Sequence, residues 1–248
     1  MTQDKSAFEF NSVLKGETCR GVNRYIIEYL AKRFDRSQEF KLLDIPCGKA
    51  SFIHSAEACF PNVSTYGCDV YNSGKIPSHR FLTVDATKAF RCFEGIQFDV
   101  VTSISGVMEF DNTQQFFESC RTSLRTDGIL VVTNDNFSAI LDRISYLFLG
   151  KARRYKTFSP LGTPTWKTIS LNNLIRILEE SGFEVVQVKF IASTWKDWCA
   201  LPFAVFVYPF QLLNSWLKST SDTAGHRLHL YTFASLMNRH YIVFCQPR

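Results

Sequence analysis

The segment Leu42-Leu-Asp-Ile-Pro-Cys-Gly-Lys-Ala-Ser-Phe52 constrains this chain more than any other. An apolar β-type run ends on an acid, Asp44. It passes through a tight turn holding Pro46, Cys47 and Gly48, then opens into a helical stretch. A strand that ends in a glycine turn and then a helix is the repeating unit of an open α/β sheet, which binds ligands outside the carboxyl ends of its strands. Glycine lets the backbone approach a ligand closely, and the start of the helix adds free N–H groups that favour a carboxylate or phosphate. A pyrophosphate cradle would ask for G-x-G-x-x-G. This turn has a single glycine, so a nicotinamide dinucleotide is poorly supported.

The rest of the first half repeats the same rhythm. Residues 41–45, 64–69, 81–85, 98–103 and 128–133 read as strands, and 22–34 and 113–124 as helices. The strands are near-continuous apolar runs, as a parallel sheet covered on both faces requires. After Thr133 the rhythm breaks, and 137–168 reads as irregular and basic, with Pro160 and Pro164. A helix then starts at an N-cap, Ser170, carries the stripe Leu171, Leu174, Ile175 and Leu178, and stops at Gly182. Residues 183–191 and 241–245 read as the last two strands.

Four more local patterns follow the glycine turn in order. Tyr66-Gly-Cys-Asp69 places an acid at a strand end, about 20 residues past the glycine, where an acidic residue accepts hydrogen bonds from ribose hydroxyls. Asp85 closes Phe81-Leu-Thr-Val-Asp-Ala86. Phe98-Asp-Val-Val-Thr-Ser-Ile-Ser-Gly-Val-Met-Glu-Phe110 and Leu124-Arg-Thr-Asp-Gly-Ile-Leu-Val-Val-Thr133 complete the set. Together they resemble, in order and spacing, the motifs of class I S-adenosylmethionine (SAM)-dependent methyltransferases, over roughly residues 38–190 and the final strand. Pro46 and Ala50 stand where that family's first turn usually has glycines, and Phe110 stands where it often has histidine.

The resemblance implies a Rossmann-like, mostly parallel α/β sheet of seven strands in the order 3-2-1-4-5-7-6. It implies SAM as cofactor, held by Asp44, Pro46, Cys47, Gly48, Asp69, Val70, Asp85, Ala86 and Ser105. Methyl transfer from a sulfonium is an in-line displacement, so the protein mainly binds and aligns the reactants. An acceptor oxygen needs a base, and Glu109 and Asp135 are the candidates. Plainer readings stand beside these. Asp44 and Asp135 could serve their own turns, and Glu109 could be a solvated loop residue. A protein that binds SAM without turnover is the rival to an enzyme. His54, on the helix after the glycine turn, reads as structural. His226, His229 and His240 form no trusted ligand pattern, so no metal is expected.

One domain is expected over 1–248. Residues 38–136 would be the cofactor-binding core, 1–37 an N-terminal cover, and 137–168 and 192–238 lid insertions. At 46% apolar and 21% charged residues, disorder is not the default. Residues 141–248 hold 13 Lys and Arg against 6 Asp and Glu, and the remainder 15 against 17. The net charge of +5 is too small to argue for nucleic acid. The basic stretch 151–156 is either a solvated loop or a contact for an anionic substrate or lipid headgroup. The apolar run 199–217, broken by Pro202 and Pro209, is marginal for a membrane span. It reads as core or pocket wall, with an interfacial membrane surface as the alternative. The eight cysteines show no C-x-x-C spacing, and no apolar leader opens the chain. A cytoplasmic protein with free thiols, associated with a membrane if 199–217 is interfacial, is the expectation. The acceptor is expected to be a small or lipid-linked molecule, methylated at oxygen. The sequence is silent on oligomeric state.

Overall fold

The apolar runs become β1 (Phe40–Asp44), β2 (Val63–Asp69), β3 (Phe81–Thr83), β4 (Phe98–Ile104), β5 (Leu124–Asp135), β6 (Phe183–Ile191) and β7 (His240–Pro247). They form one seven-stranded sheet in the order β3-β2-β1-β4-β5-β7-β6, as expected. β1 to β5 pair in parallel, and β7 inserts antiparallel between β5 and β6. The structure is a computed structural model that describes residues 16–158, 167–218 and 230–248. Residues 1–15, Pro160, Pro164, His226 and His229 lie outside the described residues.

Eight helices among the described residues complete the fold. They are α1 (Val22–Arg33), α2 (Ser51–Cys59), α3 (Thr113–Ser123), α4 (Ile140–Leu149), α5 (Leu171–Glu180), α6 (Trp195–Cys199), α7 (Leu201–Lys218) and α8 (Phe233–Met237). Successive strand residues point to opposite faces, and the core divides accordingly. Val100 and Val131 join Ile26, Leu30 and Phe52 of α1 and α2 on one side. Val101 and Val132 join Phe116, Phe117, Leu174 and Leu178 of α3 and α5 on the other. Burying a side chain of this size stabilises by about 1.5–3 kcal/mol, so both faces anchor the sheet.

Several local expectations need correction. β3 stops at Thr83, which leaves Asp85 beyond the strand. β5 begins at Leu124, earlier than 128. Residues 137–168 are not irregular throughout, because α4 occupies Ile140–Leu149 and ends on Gly150 in the left-handed region at φ 65. The basic stretch after it is only partly solvated. The guanidinium of Arg153 lies 3.0 Å from Asp142 and 3.3 Å from Asp197, and both carboxylates are buried. This clamp joins α4 to α6, and such charges are buried only when paired. α1 packs on the face of the sheet with α2; the residues just before it, Glu17 to Arg20, reach the cleft described below.

Candidate active site

A cleft of about 1080 Å³ opens at the carboxyl ends of β1, β2, β4 and β5. Its floor is the glycine turn. Gly48 sits at φ +52, a conformation that glycine adopts without steric cost, and its N–H donates to Oδ2 of Asp69 at 2.8 Å. Oδ1 of Asp69 accepts from the Val70 N–H at 2.7 Å. The backbone thus fixes this carboxylate at the lip of the cleft, with lone pairs to spare. Ala50, where a glycine was noted as usual, takes a left-handed φ of 62 just before α2. No side chain caps α2, so its first N–H groups are unclaimed by the helix or by a cap.

The second turn, after β4, closes against the first. A Cβ on Gly106 would fall 2.3 Å from Cδ of Pro46, so only glycine fits. Ser105, at φ 58, is tied to β5 by its N–H, which donates to the carbonyl and hydroxyl oxygens of Thr133 at 3.1 Å each.

Of the residues expected from sequence, Pro46, Gly48, Asp69, Ser105, Glu109 and Asp135 line this cleft. Asp44, Cys47, Val70, Asp85 and Ala86 do not. Asp44 lies beneath the turn, where the Thr102 hydroxyl donates to it at 2.6 Å and burial pushes its pKa up to about 7. Cys47 is buried, which pushes its thiol up to about 12. Val70 is exposed and Ala86 buried. Asp85 is exposed and serves its own turn, accepting from the N–H and hydroxyl of Thr87, with Lys88 at 3.0 Å. Phe110 is a core residue packed 4.4 Å from the ring of Phe116, not a cleft residue.

The far wall holds what sequence reading missed. Asp135 ends β5 and His240 begins β7, and the antiparallel register sets the two opposite each other. His240 Nδ1 lies 2.9 Å from Asp135 Oδ1. The ring is 0% exposed, and its other nitrogen, Nε2, is buried with no well-aligned partner among the described residues. Burial lowers the pKa of His240. The Asp135 hydrogen bond and the nearby Cys19 raise it, and the net shift is upward. Cys19 moves the other way. Burial raises it, but His240 and Arg154 outweigh burial and hold the thiol below its ordinary value.

Ligand atoms of Cys19, Asp135 and His240 lie within 4.8 Å of one another. They are metal-ligand types, but Arg154 already donates to both Asp135 and Cys19, and a cation would have to displace that guanidinium. Arg20 and Arg239 line the cleft too, and Nε of Arg239 is buried without a partner. Thr194 and Trp195 complete the cleft beside α6; the longer α7 contributes no lining residue. Of the 192–238 insertion, then, only its start closes on the site among the described residues.

No protein-family profile and no curated protein matches the chain. Solved structures do. An S-adenosylmethionine-dependent methyltransferase from Clostridium acetobutylicum ATCC 824 is similar at 10% identity over 97% of each chain, with a TM-score of 0.55. The PH0226 protein from Pyrococcus horikoshii OT3 is similar at 14% identity over 99% of this chain and 100% of its own, with a TM-score of 0.56. The cyclopropane synthase MmaA2 from Mycobacterium tuberculosis is similar at 15% identity over 96% and 93%, with a TM-score of 0.53. At such identities the likeness is one of fold, and with the strand order above it establishes that the chain has the Rossmann-like fold of the class I S-adenosylmethionine-dependent methyltransferases.

Proposed function

We propose that the chain methylates an oxygen of an anionic small-molecule or lipid-linked acceptor, using SAM, with His240 as the general base and Asp135 as the residue that positions it. The observation that carries this reading is the His240 ring: buried in the cleft wall, held at Nδ1 by a carboxylate, with Nε2 outside ordinary hydrogen-bond geometry and the Cys19 thiol beside the ring. A buried nitrogen without a well-aligned partner costs free energy, and an acceptor hydroxyl that donates to it would remove that cost. Nε2 would then take the hydroxyl proton as the oxygen attacks. Asp135 keeps the hydrogen on Nδ1 and stabilises the imidazolium that forms.

The residues present fit SAM. Asp69 offers carboxylate lone pairs to a ribose diol. The uncapped start of α2, beside the left-handed Gly48, offers N–H groups to an amino-acid carboxylate. When bound, SAM supplies the electrophilic methyl group and its leaving group. Arg20 and Arg239 would meet an anionic group of the acceptor, since a guanidinium matches phosphate or carboxylate geometry. The apolar surfaces near the cleft favour the lipid-linked member of this pair.

The experiment is transfer of labelled methyl from SAM into metabolite and lipid extracts, comparing wild type with His240→Asn. The variant should lose about 10²- to 10⁴-fold in kcat, with SAM affinity by calorimetry unchanged. For wild type, kcat/KM should rise with pH through a midpoint above the ordinary histidine value of 6.5, because the neutral ring is the active form. Stability should move the opposite way. The raised pKa adds stability that is full below 6.5 and lost as pH climbs through the folded value. A folded His240→Asn that turns over normally removes the base. Binding of SAM without labelled product in either extract favours a binding partner over an enzyme, and absence of binding at millimolar SAM ends the reading.

A further inference from the structure

Helix α7 is inside out. A helix on a soluble domain turns its apolar stripe inward and its polar residues to water. In α7 the buried residues are Ala204, Gln211 and Ser215, while Phe203, Val205, Phe206, Phe210 and Leu213 face outward. Phe206 is 69% exposed. α4 does the same. It buries Asp142 and Ser145 beside Ile140 and exposes the run from Tyr146 to Leu149, with Phe148 at 76%. The two helices are fastened to each other: Nη2 of Arg143 donates to Oε1 of Gln211 at 2.6 Å, and Ile140 shares an apolar cluster with Ala204. Among the described residues, 15 of the 19 large apolar side chains exposed to solvent fall within 146–158 and 195–217. Monomeric proteins seldom leave so much apolar surface to water on two neighbouring helices.

The charge around this face is one-sided. Within 137–158 and 195–218 the only acids are Asp142 and Asp197, and both are buried on Arg153. No carboxylate of these segments therefore faces outward, whereas Lys156, Lys196 and Lys218 do. An apolar face with exposed lysines and, among the described residues of these segments, no exposed acid complements an anionic bilayer, where each cation near the surface adds attraction. No helix among the described residues is long and apolar enough to cross a membrane, and Pro209 interrupts α7, so the fit is to a surface rather than a span. Trp195 joins this face to the chemistry, since it is exposed and also lines the cleft.

From these observations we infer that α4 and α7 seat the protein on an anionic lipid bilayer, with the mouth of the cleft beside the membrane surface. The inference does not depend on methyl transfer, and its test contains no SAM.

Sedimentation with phosphatidylcholine vesicles, with and without a quarter of phosphatidylglycerol, tests it on three proteins. These are the wild type, the variant Leu147→Ser/Phe148→Ser/Phe206→Ser/Phe210→Ser, and the variant Lys156→Gln/Lys196→Gln/Lys218→Gln. Wild type should sediment with the anionic vesicles, and the emission of its tryptophans should shift to the blue as Trp195 and Trp198 leave water. The serine variant should bind about tenfold more weakly or worse while melting like wild type. The glutamine variant should bind anionic vesicles several-fold more weakly, and added salt should erase that difference. Wild type that stays in the supernatant, or a serine variant that binds equally well, overturns the inference. So does a dimer in buffer that the serine substitutions dissolve while vesicles recruit nothing, which would assign the face to a second copy of the chain.

Discussion

Helices α5 and α7 both carry several apolar residues, and they face opposite ways. α5 buries Leu171, Leu174, Ile175 and Leu178 and turns Asn172, Asn173 and Arg176 to water. α7 buries Ala204, Gln211 and Ser215 and turns its phenylalanines out. Their inner neighbours differ. α5 meets the apolar face of the sheet. α7 meets a small apolar cluster at Ala204, with Ile140, Leu236 and Met237, and beside it the guanidinium of Arg143 and the hydroxyl of Ser235, which Gln211 contacts at 2.6 and 3.5 Å. A helix turns inward whatever its neighbours can satisfy, and apolar content alone does not say which face that is.

Three variants sharpen or break this contrast, each read by urea unfolding. The largest effect should come from Leu174→Ala, which leaves a cavity under α5 and costs about 2–5 kcal/mol. Gln211→Leu should cost about 1–3 kcal/mol although it makes the inner face of α7 more apolar, because it removes one hydrogen-bond partner of the partly buried Arg143 guanidinium, which keeps only the Ser138 carbonyl among the described residues. The smallest should come from Phe206→Ser with Phe210→Ser, at about 0.5 kcal/mol or less per site, as for exposed positions generally. If the phenylalanine pair costs several kcal/mol instead, the outer face of α7 is packed in solution and the contrast with α5 disappears.

The sheet was readable from sequence because its strands are apolar on both faces and end in acids or glycine turns at short range. Strand order followed from the family resemblance, and the structure reproduces it. The placement of Gly48 and Asp69 in the cleft was visible for the same reason, since it depends on the turn and strand end where they sit. α4 was missed because the basic stretch and prolines beyond it dominated the reading, while its buried residues, Asp142 and Ser145, carry no apolar period. His240 was missed for a deeper reason. Its partner Asp135 lies 105 positions earlier, and only the β5–β7 register brings them together. A histidine opening a strand that lies antiparallel to β5 was the available signal, and metal spacing was the wrong test for it.

That register also sets an order of assembly. Among the described strands β7 is made last but does not lie at an edge: it sits between β5 and β6, and β6 pairs there with no other strand. During synthesis β6 has no native strand partner until residues 240–247 emerge. The Gly48 turn is made long before then, whereas His240 arrives with the strand that closes the sheet. On the proposed reading, a nascent chain would acquire the means to bind before the means to react, and its reactive end would come into being only as the sheet closes.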